Sequence, residues 1–356
     1  MPMNRRRFIQ LGTTAGIFGL CGCSSQNSDD GGGSSSGEDG GTMGNTAAEG
    51  NKYPNQPITV IVPWSQGGGT DRSTRALTPT WASVMGGEFT VQNFSGGSTQ
   101  VGGERIFSSN ADGYTVGMWN LPQMQATWLF QDATYRTDDF NYIGTNHADP
   151  TMWFAPQDSS YGDMNEFLEF ARNNEVNVGL TSAVGNTALS ALLVLDTYDV
   201  NMNLINLEGG SGVRQAILAG DVDAAVNQPW AFNPSNIGKV TTLGSHTPES
   251  QELWPDTPSF ANLGLTDLPL VDQGLVQWKL MVAPAPIKKE YPDRWEMLVS
   301  TYEEAMMTDS YRQRASEQGN LDQIIRFNGP DETGKIVKQN TDFMSQFKPL
   351  FDEYLG

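Results

Sequence analysis

The chain has 356 residues, with 21 lysines and arginines against 41 aspartates and glutamates, so its formal net charge is −20. This balance disfavours nucleic acid as a partner. The acidic excess, with few lysines such as Lys239 and Lys279, indicates a surface adapted to high salt, as in halophilic archaea. The two cysteines, Cys21 and Cys23, lie near the start, so the later sequence has no thiol for a disulfide, a metal site or a nucleophile.

The first 23 residues have the features of an export signal. Arg5 and Arg6 precede an apolar run at residues 11–20, and Cys23 ends a Leu-x-Gly-Cys motif. This combination predicts a twin-arginine lipoprotein signal peptide at residues 1–23, with Cys23 as the lipidated residue. An uncleaved membrane anchor is the alternative, but about 20 apolar residues are needed to span a bilayer. Residues 24–52, rich in Gly, Ser and Asp, are predicted to form a disordered tether.

A glycine-rich loop follows the first predicted strand. Residues 58–62 (ITVIV) are apolar and end at Pro63, which predicts a short buried strand. Three consecutive glycines follow at residues 67–69, and Leu77 and Trp81 then recur at helical spacing. Free N–H groups at a helix start, together with glycines that let the backbone approach closely, favour an anion such as a carboxylate. A tight turn without any ligand is the alternative, since the lysine of a P-loop is missing.

The rest of the chain alternates predicted strands with predicted helices. Further strands are expected at residues 89–93 and 176–180, and glycine- and serine-rich loops follow several strands. Such alternation predicts an α/β fold with mostly parallel sheets flanked by helices. Ligands of these folds bind beyond the carboxyl ends of the strands, where the loops lie.

An enzyme active site has little support in the sequence. The histidines are His147 and His246, and neither has the spacing of a catalytic triad or a zinc site. We interpret both as ordinary surface or loop residues. Carboxylates are so abundant that a chance acid–base pair carries little information. We therefore expect no catalytic residues, no metal and no cofactor.

Five motifs occur in an order that resembles a known family. They are YPNQPITVIVPWSQGGGTDRSTR, ADGYT, EGGSGVRQAILAGDVDAAV, WPDTPSF and WKLMVAPAPI. The sequence from residue 53 to 356 is similar to the substrate-binding receptors of tripartite tricarboxylate transporters, the Bug-type extracytoplasmic solute receptors. This resemblance implies a two-lobed type II periplasmic-binding-protein fold. Lobe one would be residues 53–155 plus 277–356, and lobe two residues 156–276, with crossings near Pro156 and Val276.

The resemblance also implies a ligand site between the lobes. The first loop would hold a carboxylate through Trp64, Ser65, Gln66, Gly67, Gly68 and Gly69. Asp71 would order this loop, contact a polar group of the ligand, or cap the helix. The facing lobe would contribute Thr181, Ser182, Gly185, Asn186, Gly209, Ser211, Asn227 and Trp230. Asn186 is alternatively a helix cap, and Trp230 a hinge or core aromatic. The family's usual histidine in this segment is replaced near Leu189.

The function implied is capture of a small carboxylate and its delivery to two integral membrane subunits of a transporter. The protein would be anchored by its lipidated cysteine to the outer face of the cell membrane. A lipid-anchored sensor of the same fold, not coupled to transport, is an alternative, and a carboxylate-dependent enzyme is a weaker one.

Overall fold

The computed structural model describes residues 9–10, 53–232, 236, 238–249 and 253–355. The predicted signal peptide, Cys23 and the tether lie outside these residues, apart from Ile9 and Gln10. The strands are β1 (Ile9–Gln10), β2 (Ile58–Val62), β3 (Phe89–Asn93), β4 (Thr115–Leu121), β5 (Phe140–Pro150), β6 (Met152–Pro156), β7 (Val176–Leu180), β8 (Met202–Asn206), β9 (Ala224–Asn227), β10 (Val240–Ser245) and β11 (Val276–Pro284).

Helices cover both sheets that these strands form. They are α1 (Gly69–Met85), α2 (Gln100–Phe107), α3 (Gln123–Phe130), α4 (Met164–Asn173), α5 (Asn186–Tyr198), α6 (Gly210–Ala219), α7 (Pro229–Phe232), α8 (Ile287–Glu290), α9 (Pro292–Met307), α10 (Asp309–Glu317), α11 (Pro330–Ser345) and α12 (Lys348–Leu355). Within the part of the chain that the structure describes, none of them is both long and apolar enough to cross a membrane.

The strands form two mixed sheets. The first has the order β3-β2-β4-β11-β5, and the second has the order β1-β8-β7-β9-β6-β10. The α/β prediction is confirmed, but the sheets are less parallel than expected. Every antiparallel pair involves β5, β6, β10 or β11, the strands on either side of the two crossings between the sheets.

The chain changes sheet at two places. It leaves the first sheet after Pro150 and enters the second at Met152, so only Thr151 separates the two strands. It returns to the first sheet between Ser245 and Val276. The lobe boundaries expected at residues 155 and 277 stay a prediction, but β6, which contains the first of them, pairs within the second sheet.

The apolar patterns explain which elements are buried. In β2, four of the five residues are buried, as expected for a strand covered on both faces. The helix α5 is apolar around most of its circumference, and its first ten residues are all buried. Trp81 of α1 stacks on Phe89 with ring centroids 4.5 Å apart, which fixes the first helix over its sheet.

Candidate functional site

The loop after β2 is held in shape by its own polar groups. The Asp71 carboxylate accepts hydrogen bonds from the Gly67 backbone N–H at 2.9 Å, from Arg75 Nε at 2.9 Å and from Asn93 Nδ2 at 3.0 Å. Asp71 is 2% exposed and therefore orders the loop, one of the roles considered for it. It does not cap α1, because the residue at the cap position is Gly68.

Trp64, in the same loop, is held by two hydrogen bonds. Its indole Nε1 donates to Asn120 Oδ1 at 2.7 Å, and its backbone oxygen accepts from Asn93 Nδ2 at 3.0 Å. Thr70 Oγ1 also donates to Asn120, at 3.1 Å, and Asn120 Nδ2 donates to Gln277 Oε1 at 2.9 Å. The loop is thus tied to β4 and β11 by a buried network of side-chain amides and hydroxyls.

The loop before α6 faces the first loop across the gap between the sheets. Ser65 Oγ and Ser211 Oγ lie 3.0 Å apart and share a hydrogen bond. Gly209 has φ of 124°, a conformation that favours glycine, and a Cβ there would lie 2.9 Å from Ser65 Oγ. Asn227 stabilises the start of α6, because its Nδ2 donates to the Gly210 carbonyl at 3.2 Å. Gln66 of the first loop, by contrast, is exposed.

The segment before α5 lies close to the first crossing. Asn186 Nδ2 donates to Thr151 Oγ1 at 2.6 Å, and Asn186 Oδ1 accepts from Gln123 Nε2 at 3.0 Å and from Gln277 Nε2 at 3.3 Å. Asn186 is not a helix cap, because the cap position is Gly185 and Asn186 is the first helical residue. Its side chain joins the two sheets at the point where the chain passes between them.

Thr181 and Ser182 are also buried in this segment. Thr181 Oγ1 lies 2.9 Å from Thr187 Oγ1, and Ser182 Oγ accepts from the Val184 N–H at 3.2 Å. Their hydroxyls therefore stabilise the turn into α5 in this structure.

Trp230 is buried where elements of the two sheets meet. It is 1% exposed, and its Nε1 donates to the Gln318 carbonyl at 3.1 Å. The Arg72 guanidinium lies 4.3 Å from the centre of its ring and donates to its backbone oxygen at 3.3 Å. A Cβ added at Gly69 would lie 3.5 Å from the ring. Trp230 thus packs against the first turn of α1.

A small cavity of about 20 Å³ lies between the two loops, with room for about one water molecule. The predicted residues in its wall are Trp64, Gly68, Gly69 and Thr181. Gly210, which the sequence places at the cleft edge with Gly209 and Ser211, is also in the wall. The other predicted residues are not part of this wall. The remaining wall residues, which the sequence interpretation did not select, are Thr70, Asp149, Gln228, Ala231, Gln277 and Lys279.

A buried ion pair forms part of this wall. Lys279 Nζ lies 3.5 Å from Asp149 Oδ2, and the two side chains are 2% and 1% exposed. Burial raises the pKa of Asp149 to about 6, against the opposing effect of Lys279 and of the Trp230 backbone. Burial likewise lowers the pKa of Lys279. The interpretation of Lys279 as part of a high-salt surface is wrong, because β11 is a central strand of the first sheet.

The interpretation of the histidines as surface or loop residues is wrong for His147, whereas His246 is a loop residue but a buried one. His147 lies in β5, is fully buried, and makes an edge contact with Trp230 at 5.5 Å. Its pKa lies well below the usual value because of burial and the charge of Lys279. His246 follows β10 and bonds through its ring nitrogens to Ser190 Oγ at 3.0 Å and the Pro269 carbonyl at 2.9 Å. Burial lowers its pKa to about 4.

The helix starts around the cavity supply hydrogen-bond donors. The helices α1 and α6 begin in its wall, and the first N–H groups of an α-helix have no partner within the helix. These donors and the positive end of each helix dipole favour an anion. Among the residues that the structure describes, no three His, Cys, Asp or Glu side chains are grouped as metal ligands.

Residues 74–324 match the family described as "Tripartite tricarboxylate transporter family receptor". A UPF0065 protein of Cupriavidus necator is 24% identical over 269 residues, which cover 75% of this chain and 79% of the relative. This bacterial relative gives no support to the expected archaeal source.

Two solved structures from Rhodopseudomonas palustris share the fold. MatC, with bound malate, has a TM-score of 0.72 at 21% identity and covers 84% of this chain and all of its own. Rpa4515, with adipate, has a TM-score of 0.74 at 19% identity and covers 84% of this chain and 98% of its own. The family match spans more than half of the sequence. The chain therefore belongs to the receptor family of the tripartite tricarboxylate transporters.

Proposed function

We propose that this protein captures a small carboxylate between two lobes, without a chemical step, and delivers it to two membrane subunits of a transporter. The observation that carries the proposal is the meeting of two helix starts from different sheets at one cavity. Gly68, Gly69 and Thr70 belong to the start of α1, and Gly210 begins α6. The structures of MatC with bound malate and of Rpa4515 with adipate support the same ligand class.

The small size of the cavity supports a movement of the lobes. The space between the loops is about 20 Å³, close to the space that one water molecule needs. We therefore propose that the lobes, residues 53–155 plus 277–356 and residues 156–276, separate to admit the ligand. The contacts between Ser65 and Ser211 and between Arg72 and Trp230 would break in the open form and re-form around the ligand.

A thermal unfolding screen of the purified full-length protein tests this function. At about one hundred times its dissociation constant, a ligand stabilises the folded state by about 2.7 kcal/mol, which raises the melting temperature by a few degrees. We expect such a shift with di- or tricarboxylates and none with the matched neutral diamides. Absence of a shift with every acid, or conversion of an acid to a product, would contradict the proposal.

We further propose twin-arginine export and lipid anchoring at Cys23. The support is the sequence around Arg5, Arg6 and Cys23. In an expressing host, Cys23→Ser should release the protein from the membrane fraction, and the double change Arg5→Lys with Arg6→Lys should retain it inside the cell. The acidic balance of the chain supports a role at high salt. Membrane attachment that survives Cys23→Ser would refute the lipid anchor.

A further inference from the structure

Two polar atoms in the cavity wall have no hydrogen-bond partner among the described residues. They are Asp149 Oδ1 and Gln228 Nε2. Asp149 is 1% exposed and Gln228 is 5% exposed, so bulk water does not satisfy them. Buried polar atoms are nearly always paired, because an unpaired one costs free energy. The two atoms are therefore candidates for direct contact with the ligand.

The charge of Asp149 restricts what it can bind. Its Oδ2 faces Lys279 at 3.5 Å, which leaves Oδ1 as a hydrogen-bond acceptor. A carboxylate of the ligand belongs at the helix starts, and it would be repelled by Asp149. The group opposite Oδ1 must therefore be a donor on another part of the ligand. An ammonium group is disfavoured there, because Lys279 and Arg72 both act on Asp149 as positive charges.

A hydroxyl group fits both free atoms. It donates one hydrogen bond and accepts others, so it can donate to Asp149 Oδ1 and accept from Gln228 Nε2. Both residues belong to the wall of the same small cavity. Resting on the proposed function as a carboxylate receptor, we propose that Asp149 and Gln228 bind a hydroxyl group of the ligand. The site therefore selects hydroxycarboxylates over the corresponding acids without the hydroxyl.

Calorimetric titration of the purified full-length protein with matched acids tests this selection. The pairs are butanedioate and 2-hydroxybutanedioate, pentanedioate and 2-hydroxypentanedioate, and propane-1,2,3-tricarboxylate and its 2-hydroxy derivative. In the pair that fits the site, the hydroxylated acid should bind roughly ten- to one-hundred-fold more tightly, the range for a hydrogen bond to a charged group. Equal affinities within every pair that binds would overturn this inference and leave the proposed function standing. Failure of all six acids to bind would overturn both.

A double variant assigns the selectivity to Asp149. Asp149→Leu combined with Lys279→Met removes the acceptor without leaving a buried unpaired charge. The affinity ratio within the pair should fall to within about twofold of one. Because both acids are titrated into the same preparation, a misfolded fraction changes the number of sites and leaves the ratio unaltered. Glu332→Ala, which breaks an exposed ion pair on α11, is the matched control and should keep the wild-type ratio. An unaltered ratio in the double variant would refute the role of Asp149.

Discussion

Replacing Lys279 by methionine should lower the free energy of unfolding, because the buried charge on Asp149 is then left without its partner. The Asp149 carboxylate lies 3.5 Å from Lys279 Nζ, and both side chains are almost fully buried. At this separation, an effective dielectric constant of about 20 gives an attraction of about 5 kcal/mol. Breaking a buried pair by removing one partner typically costs about 3–5 kcal/mol. We therefore expect Lys279→Met to lower the free energy of unfolding by about 3–5 kcal/mol near neutral pH.

The loss should shrink as the pH falls. Burial already raises the pKa of Asp149 from 3.8 to about 6, and loss of the Lys279 charge raises it further. A group whose pKa is raised by folding contributes stability that is complete below its unfolded pKa and is lost as the pH rises through its folded pKa. In the Lys279→Met variant, the Asp149 carboxylate therefore destabilises the folded state most when the pH is above the pKa that Asp149 has in the folded state. The deficit of Lys279→Met should be smaller near pH 5 than near pH 7.5.

Urea unfolding followed by circular dichroism measures these differences in the full-length protein. The double variant Asp149→Leu with Lys279→Met should be close to the wild type in stability, because no charge is left unpaired. Lys335→Met is the matched control, since the Lys335–Glu332 pair lies at 2.9 Å but its side chains are 67% and 53% exposed. That change should cost less than about 1 kcal/mol. The reasoning fails if Lys279→Met is as mild as the control, or if the double variant is as unstable as the single one.

Three further changes probe other parts of the molecule. Gly68→Val should weaken carboxylate binding at least about tenfold in calorimetry, because its Cβ would lie 3.3 Å from the Ser65 carbonyl and cover the approach to the helix start. Arg72→Ala removes the contacts with Trp230 and should cost about 1–2 kcal/mol of stability and raise the radius of gyration in X-ray scattering. His246 has a pKa lowered to about 4 by burial, so the stability linked to its neutral form is complete above pH 6.5 and is lost as the pH falls through 6.5 towards 4. His246→Gln should flatten the pH dependence of urea unfolding in that range.

Each of these changes has its own control and its own contrary result. Gly334 has open space around its Cβ position, so Gly334→Ala should leave binding unaltered. Normal affinity in Gly68→Val would exclude the helix start as the carboxylate site. An unchanged radius of gyration in Arg72→Ala would show that its contacts do not hold the lobes together. An equally steep loss of stability in His246→Gln would assign the acid sensitivity to other groups.

Local sequence signals predicted the elements that carry the loops. The strand at residues 58–62 and the glycines after it needed only β-branched residues and a helical pattern. The cap of α4 is also made by local contacts, since Asp163 Oδ1 accepts from the Glu166 N–H at 3.0 Å and Glu166 Oε2 accepts from the Gly162 N–H at 2.7 Å. These interactions join residues that lie within a few positions of each other, so a local sequence pattern is enough to predict them.

The charged part of the site could not be predicted in the same way. Asp149 and Lys279 are far apart in the sequence and meet because β5 pairs with β11, with Gln277 opposite Asp149 and Lys279 opposite His147. No local pattern encodes that register. One signal was present, because Lys279 is the single charged residue in the strand VQWKLMVAP. A lysine inside a central strand is rarely buried without a partner or a ligand. That pattern argued against assigning it to the surface.

The order β3-β2-β4-β11-β5 affects how the chain folds during synthesis. The strands β6 to β10 lie within residues 152–245, so their pairings can form before β11 has been made. In the first sheet, β2, β3 and β4 pair directly with one another, but β5 joins them only through β11. The part of the cavity wall that contains Lys279 can therefore be assembled only when residues 276–284 have been made. The site for the ligand is thus completed late in folding.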